Sequence, residues 1–359
     1  MSISDKQFLK PFRHALLFVA FTLFSVNSAH GFSLALDSIA TWGKFPRFCV
    51  NTYRWGDKFF NSYDSVFVVG TGNKFNVKIK SDSWFDYYAF DFDNNTTMNM
   101  VSLPCTSLGL HLTYLAVSAG YDINIGKYFG GQEQVRERFK FSFNCSLFGA
   151  DFYYLSNDIG TRITRFGQRH HVRRMDLDFK GINNYSWGLD TYYFFNHKRY
   201  SQGAAFAYSK IQRKSAGTFY AGLSIWMQHF KFNFSELSDD MKAIIPLQAT
   251  DYQYAVRNHN YAVKIGYAYN WVFKKNFLLA VSEAPTFGLR HGYINSPDQI
   301  KNSFAMYNKL KISFVYNYKK FFTGIIGYHE AGLIYDKQHA LINMMMGAEM
   351  VAGYRFNLW

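Results

Sequence analysis

The sequence predicts an all-β fold, an antiparallel transmembrane β-barrel of about 12 strands (range about 10 to 14) behind a short, partly helical N-terminal lead-in. Three observations lead there. The chain ends on strict alternation, with Met344, Met346, Ala348, Met350, Ala352, Tyr354, Phe356 and Leu358 on one face and Gly347, Glu349, Gly353, Arg355 and Asn357 on the other. A period of two belongs to a strand. Beyond the N-terminal run there is no long uninterrupted apolar stretch of the kind a membrane helix requires. Yet Phe, Tyr and Trp make up 20% of the residues, which suits the aromatic girdles of a barrel. A soluble β-sandwich is the alternative.

At the N-terminus, Lys6, Lys10 and Arg13 precede an apolar run from Ala15 to Val26, and Ala29-His30-Gly31 supplies small residues for cleavage. Residues 1–31 are therefore expected to be a secretory signal peptide, with an uncleaved anchor as the alternative. The run is shorter than the roughly 20 residues a spanning helix needs. Export then leads to the cell outer membrane, and the aromatic terminal strand, with Tyr354, Phe356 and Trp359, is the expected signal to the barrel-insertion machinery. Trp359 falls in phase with Arg355 and Asn357, one step away from the aromatic face.

Residues 32–73 lack clean alternation and carry Trp42, Pro46, Trp55 and DKFFNSYDS, which reads as a periplasmic or plug-like lead-in. Residues 74–359 read as the barrel. Phe75, Val77 and Ile79 alternate with Asn76, Lys78 and Lys80. Similar alternation runs through Phe139 to Leu147, Trp187 to Phe195, Phe219 to Met227, Tyr261 to Tyr269 and Leu310 to Tyr318. Each segment is about nine residues, close to the 9 to 11 of a tilted spanning strand. Phase changes near Leu115 and Gly149 mark either β-bulges or tight turns. The polar face Asn260, Ala262, Lys264, Gly266 and Ala268 predicts a polar, side-chain-filled lumen.

Removing Lys6, Lys10, Arg13 and Asp5 with the signal leaves 36 basic and 24 acidic residues, a balance of +12. Nucleic acid is not the expected partner of an exported chain. The positive charge instead points to outer-membrane lipid and lipopolysaccharide phosphates. The sharpest cluster is Arg162, Arg165, Arg169, His170, His171, Arg173 and Arg174, joined by Arg213 and Lys214 at a turn. Arg grips phosphate with a bidentate fork, whereas a merely solvated loop is the plainer reading. Lys264, Lys311 and Arg290 on wall and loops would favour anions along any open path.

No metal site or cofactor is expected. His170 and His171, adjacent on an extended chain, point to opposite sides. Cys49, Cys105 and Cys145 match no metal spacing, and Cys145 alternates with Phe141 and Phe143 as a small apolar residue. For catalysis, His111-Leu112-Thr113 approaches a His-x-Ser pattern but lacks its nucleophile, and Asp239-Asp240 near His229 reads as a charged loop. The residues therefore leave enzymatic activity undecided and lean against it, with an envelope-lipid-modifying enzyme as the alternative.

The segment KRYSQGAAFAYSKIQRKSAGT, Lys198 to Thr218, resembles the signature of a Bacteroidetes family of unknown function. Trp55 and Lys58 before Asp64-Ser65, NKFNVKIK followed by Phe85-Asp86, and Lys180-Gly181 ahead of Phe195-Asn196 resemble it as well. The resemblance implies outer-membrane location and a barrel fold, with no reaction attached. Read physically, Gln212 to Gly217 is a turn joining a strand Gly203 to Ile211 with a strand Thr218 to Phe230, and Ala204, Ala205 and Ala207 admit close packing. The expected function is a narrow, porin-like conduit or a surface structural protein.

Overall fold

The computed structural model describes residues 62–358, apart from 93, 115–116, 126–134, 159, 246–252, 295–299 and 337–338, together with isolated positions between 41 and 60. Two units separate, residues 1–57 with 359, and residues 58–358. In the first, Lys44, Arg47, Phe48, Asn51, Trp55 and Gly56 are helical. Trp359 and the expected signal peptide lie outside the described residues.

The second unit contains β1 (Val68–Gly70), β2 (Phe75–Phe92), β3 (Thr96–Ser102), β4 (Cys105–Tyr114), β5 (Val117–Asn124) and β6 (Val135–Asn144). It continues through β7 (Phe148–Asp158), β8 (Thr161–Gln168), β9 (Arg173–Phe179), β10 (Ile182–Phe194), β11 (Lys210–Gln212) and β12 (Ala216–Asn233). The last strands are β13 (Gln253–Lys274), β14 (Phe277–Ile294), β15 (Ile300–Tyr318), β16 (Phe321–Asp336) and β17 (His339–Phe356). Twelve of these close a barrel in the order β2-β4-β5-β6-β7-β10-β12-β13-β14-β15-β16-β17. The seam joins the first and last strands antiparallel, from Phe75↔Phe356 to Phe92↔His339. Closure removes every free edge from the wall, which a lipid environment demands because it satisfies no backbone group.

Alternation assigns the two faces. On β13, Tyr261, Val263, Ile265, Tyr267, Tyr269, Trp271 and Phe273 point outward and exposed, while Asn258, Asn260, Lys264, Ala268 and Asn270 are buried inward. The outward band from Tyr261 to Phe273, at a rise of about 3.3 Å per residue and a tilt near 40°, is about 30 Å tall. Exposed Arg257 bounds it at one end and Lys274 and Lys275 at the other. At the end where β2 begins and β17 finishes, rings meet around the rim. Phe273–Phe277 centroids are 5.7 Å apart, Phe277–Tyr316 4.8 Å, Phe321–Tyr354 4.9 Å, Phe356–Phe75 5.5 Å and Phe75–Tyr114 4.8 Å. This is a girdle at headgroup depth.

Several expectations are refined. Seven strands run 16 to 22 residues rather than about nine, because they continue past the apolar band. The phase change near Gly149 is a turn, not a bulge: β6 gives way to β7 across Cys145–Leu147, where the Cys145 N–H donates to Phe148 O at 2.9 Å. That near Leu115 lies outside the described residues, between β4 and β5, whose ends pair as Tyr114↔Val117. Cys145 is a buried free thiol, and Cys105 is buried as well.

The expected strand Gly203 to Ile211 is corrected. Gly203–Ala207 forms a π-helical turn ended by Tyr208 in the left-handed region (φ 61°), and only Lys210–Gln212 is extended, pairing with β1. Alanine's helix propensity overrides an alternation that small residues mimic at no cost. Close packing is what these alanines serve. Ala204, Ala205 and Tyr208 pack with Leu278, Val315, Phe322 and Val351 from the wall, filling the lumen at the girdle end.

The other end closes differently. β2 is longer than β4, so it pairs with β4 from Phe75 to Trp84 and with β3 from Tyr87 to Asp91. The wall forks there, and β3, β8 and β9 continue as a side sheet. Their inner face supplies Met98, Met100, Ile163, Phe166 and Phe179 to a buried cluster with Tyr88, Phe90, Phe230, Phe232, Phe234 and Tyr254. Strands β2 and β12 stand opposite each other in the ring, yet the Phe90 and Phe232 rings lie 4.7 Å apart. An apolar lid thus lies across this end.

Candidate functional site

Between the two apolar closures lies a charged layer. Asp190 on β10 meets Lys264 Nζ at 2.9 Å and Lys309 Nζ at 2.7 Å, and accepts a hydrogen bond from Ser224 Oγ at 2.6 Å. Lys309 also approaches Glu330 at 3.6 Å, to which Tyr307 OH donates at 3.1 Å. Lys264 lies over the Tyr192 ring at 4.6 Å and Lys309 over Tyr153 at 5.0 Å. Four strands contribute charge here, so the network crosses the lumen rather than following one wall.

A second group joins Lys80 to Asp122 at 3.0 Å and to Glu349 at 3.5 Å, with His111 Nε2 2.9 Å from Asp122. Two glycines make its room. A Cβ on Gly109 would lie 1.8 Å from Asp122 Oδ1, and one on Gly120 would lie 2.0 Å from His111 Nδ1. Gly120→Ala must therefore expel the imidazole from Asp122. The expected loss is about 1–3 kcal/mol, as for overpacking a filled core, read from the urea unfolding midpoint in detergent. A midpoint equal to that of the native protein would show that the ring is free to move.

The sequence-expected anion residues fall into separate places. Arg162 and Arg165 lie on β8, Arg169 just after it, and Arg173 and Arg174 on β9, all exposed on the lid hairpin. Arg162 is paired with Asp176 at 2.9 Å and Asp178 at 3.3 Å, and Arg169 with Asp91 at 3.0 Å. Arg165, Arg173 and Arg174 make no ion pair among the described residues. Arg213 and Lys214 sit at the girdle end, where the Arg213 N–H donates to Phe67 O at 2.7 Å and Lys214 lies over the Phe67 ring at 5.9 Å. They belong to the latch between β1 and β11, apart from the lid hairpin. Tyr354 and Phe356 face outward in the girdle, with centroids 6.4 Å apart.

The candidate catalytic pairs do not assemble. His111 is held by Asp122, while Thr113 Oγ1 and Ser118 Oγ bond each other at 2.8 Å. His229 packs edge-on to Tyr185 at 4.8 Å, and Asp239 pairs with Lys242 at 3.3 Å. Among the described residues no group of His, Cys, Asp and Glu gathers with metal-binding spacing. The alternation exposed the basic lumen residues Lys264, Lys311 and Arg290. It also held the acids that were missed: Asp82, Asp122, Asp190 and Glu349 occupy inward register positions on their strands.

No curated protein sequence matches the chain. Its fold is similar to solved outer-membrane proteins. One is the outer membrane protease OmpT of Escherichia coli, 8% identical over 80% of this chain and 97% of that one, with a TM-score of 0.37. Another is OprG of Pseudomonas aeruginosa, 12% identical over 80% and 100%, with a TM-score of 0.27. The toluene transporter TodX of P. putida is 7% identical over 79% and 90%, with a TM-score of 0.24. The profile of the domain of unknown function DUF4421 matches residues 62–356, from just before β1 to the last residue of β17, and the chain belongs to that family.

Proposed function

We propose that this protein is a closed, non-enzymatic structural barrel of the outer membrane, exported by its signal peptide and seated by its aromatic last strand. Its lid faces the cell exterior and offers Arg165, Arg173 and Arg174 to phosphates of outer-membrane lipid or lipopolysaccharide. The observation that carries this reading is the contact of Phe90 with Phe232 across the ring, since an open conduit needs water at that level. The exposed arginines supply forks for phosphate without a competing carboxylate.

Planar-bilayer recording of the purified barrel tests the closed state. Current at background level is expected, and steady ohmic steps would favour the conduit reading. Binding is tested by co-sedimentation with lipopolysaccharide vesicles. Arg165→Gln, Arg173→Gln and Arg174→Gln combined are expected to weaken it at least tenfold, with a slope in salt that flattens. Equal binding by the triple variant, or by vesicles of dephosphorylated lipopolysaccharide, would overturn the phosphate contact.

A further inference from the structure

Just beneath the lid, β12, β13 and β14 present Trp226, Asn260 and Arg290 as direct register partners, all facing the lumen. Asn258 follows Asn260 on the same face, two residues nearer the lid. Neighbouring strands lie about 4.8 Å apart, so these side chains form one patch. They are deeply buried, with Arg290 and Trp226 each 6% exposed, Asn258 1% and Asn260 0%.

Their hydrogen bonds form a directed chain. Arg290 Nε donates to Asn260 Oδ1 at 3.1 Å, which fixes the orientation of that amide. Asn260 Nδ2 is then the donor, to Trp226 O at 3.3 Å and to Asn258 Oδ1. Asn258 is oriented in turn, with its Nδ2 left over. Arg290 Nη2 is taken by Leu333 O at 3.0 Å. Three buried groups remain without a partner: Arg290 Nη1, Asn258 Nδ2 and Trp226 Nε1.

All three are donors, and no acceptor is left among them. Arg290 forms no ion pair with any carboxylate among the described residues, unlike Lys80, Lys264 and Lys309. A buried unpaired charge costs several kcal/mol, and each unmade buried hydrogen bond about 1–3 kcal/mol more. Water answers this only in part: it can accept from two of the three donors and leaves the guanidinium charge uncompensated. An anion answers it fully, because it accepts from every side and neutralises the guanidinium.

We infer that the lumen binds one chloride-sized anion at Arg290, Asn258 and Trp226. Ala262, Ala305 and Tyr307 pack against Trp226, and this tight surround suits a monatomic ion better than a polyatomic one. The ion joins the apolar lid to the charged layer by capping Arg290, a lumen cation next to the lid that pairs with no carboxylate among the described residues. The site stands independently of the surface role proposed above.

The test uses the full chain in detergent. Thermal unfolding is measured in sodium chloride and in sodium gluconate of equal ionic strength, gluconate being too bulky to enter. A saturable rise of several degrees in chloride is expected for the native protein, since a ligand of the folded state alone stabilises by mass action. Arg290→Met should abolish the chloride response. Trp226→Phe, which keeps a ring but removes the indole N–H, should raise the half-saturating chloride concentration severalfold. Crystals of the native protein grown with bromide as sole halide should show anomalous scattering within hydrogen-bond distance of Arg290 Nη1. Equal midpoints in the two salts, no bromide peak at Arg290, or an undiminished response in either variant would overturn the site. The bromide and Trp226→Phe results decide the question even if Arg290→Met does not fold.

Discussion

Asp190→Asn is expected to destabilise the barrel by roughly 3–5 kcal/mol, the cost of breaking a buried ion pair from one side. Asp190 serves two lysines at once, and the Lys264 side chain is 1% exposed while that of Lys309 is 13%. Lys309 keeps Glu330 as a second partner, but Lys264 has no other ion pair among the described residues. Asn keeps the size of Asp, so the loss reports charge and not volume. Two ammonium groups would remain near each other in a lumen with an apolar cluster towards each end. Urea unfolding followed by tryptophan fluorescence, together with the gel mobility of unheated samples, reads the effect. Combining Asp190→Asn with Lys264→Met should recover part of the loss, because it removes the stranded charge. A midpoint for Asp190→Asn within about 0.5 kcal/mol of the native one would show that water reaches the layer and screens it.

The barrel wall was legible because its constraint is local. Each strand must show lipid one face and the lumen the other, and that demand writes a period of two into the chain. Asn260, Ala262, Lys264, Gly266 and Ala268 read as wall on this basis, and the burial of Asn260, Ala262, Lys264 and Ala268 agrees. The closures were not legible, because they depend on which strands meet across the ring. Nothing local distinguishes Tyr88 and Phe90, buried in the lid, from outward aromatics such as Tyr267 and Tyr269. The π-helical turn was missed for a related reason: Gly-Ala-Ala-Phe-Ala carries no bulk with which to declare a face. The charged pairs were half legible. Register would have placed Asp190 inward, yet its meeting with Lys309, four strands around the ring, is a property of the closed fold. The five lid arginines were near one another in sequence and remain so in space, whereas Arg213 and Lys214 lie with the latch.

Phe232→Ala is expected to open the lid while leaving the barrel closed. The ring is 1% exposed and touches Phe90 at 4.7 Å, Tyr88 at 5.6 Å and Tyr254 at 6.0 Å. Truncating such a side chain costs about 3–5 kcal/mol through lost burial and the cavity left behind. Where that loss falls follows from topology. The side sheet is tied to the wall by the short pairing of β3 with β2 over Tyr87–Asp91 and by this apolar cluster, and β9 ends it as an edge. The wall strands, in contrast, are paired on both sides along most of their length. The weakened contact should therefore release β8 and β9 before any wall strand separates. Trypsin will report it, since the hairpin carries Arg162, Arg165, Arg169, Arg173 and Arg174. Cleavage within residues 162–174 should accelerate by tenfold or more in Phe232→Ala, while the unheated sample keeps the gel mobility of a folded barrel. Phe90→Ala should do the same, and the double variant should cost less than the sum of the two by about 0.5–1.5 kcal/mol, the coupling of an aromatic pair. Unchanged cleavage alongside a lost folded band would show the opposite order of events, with the lid holding the wall together.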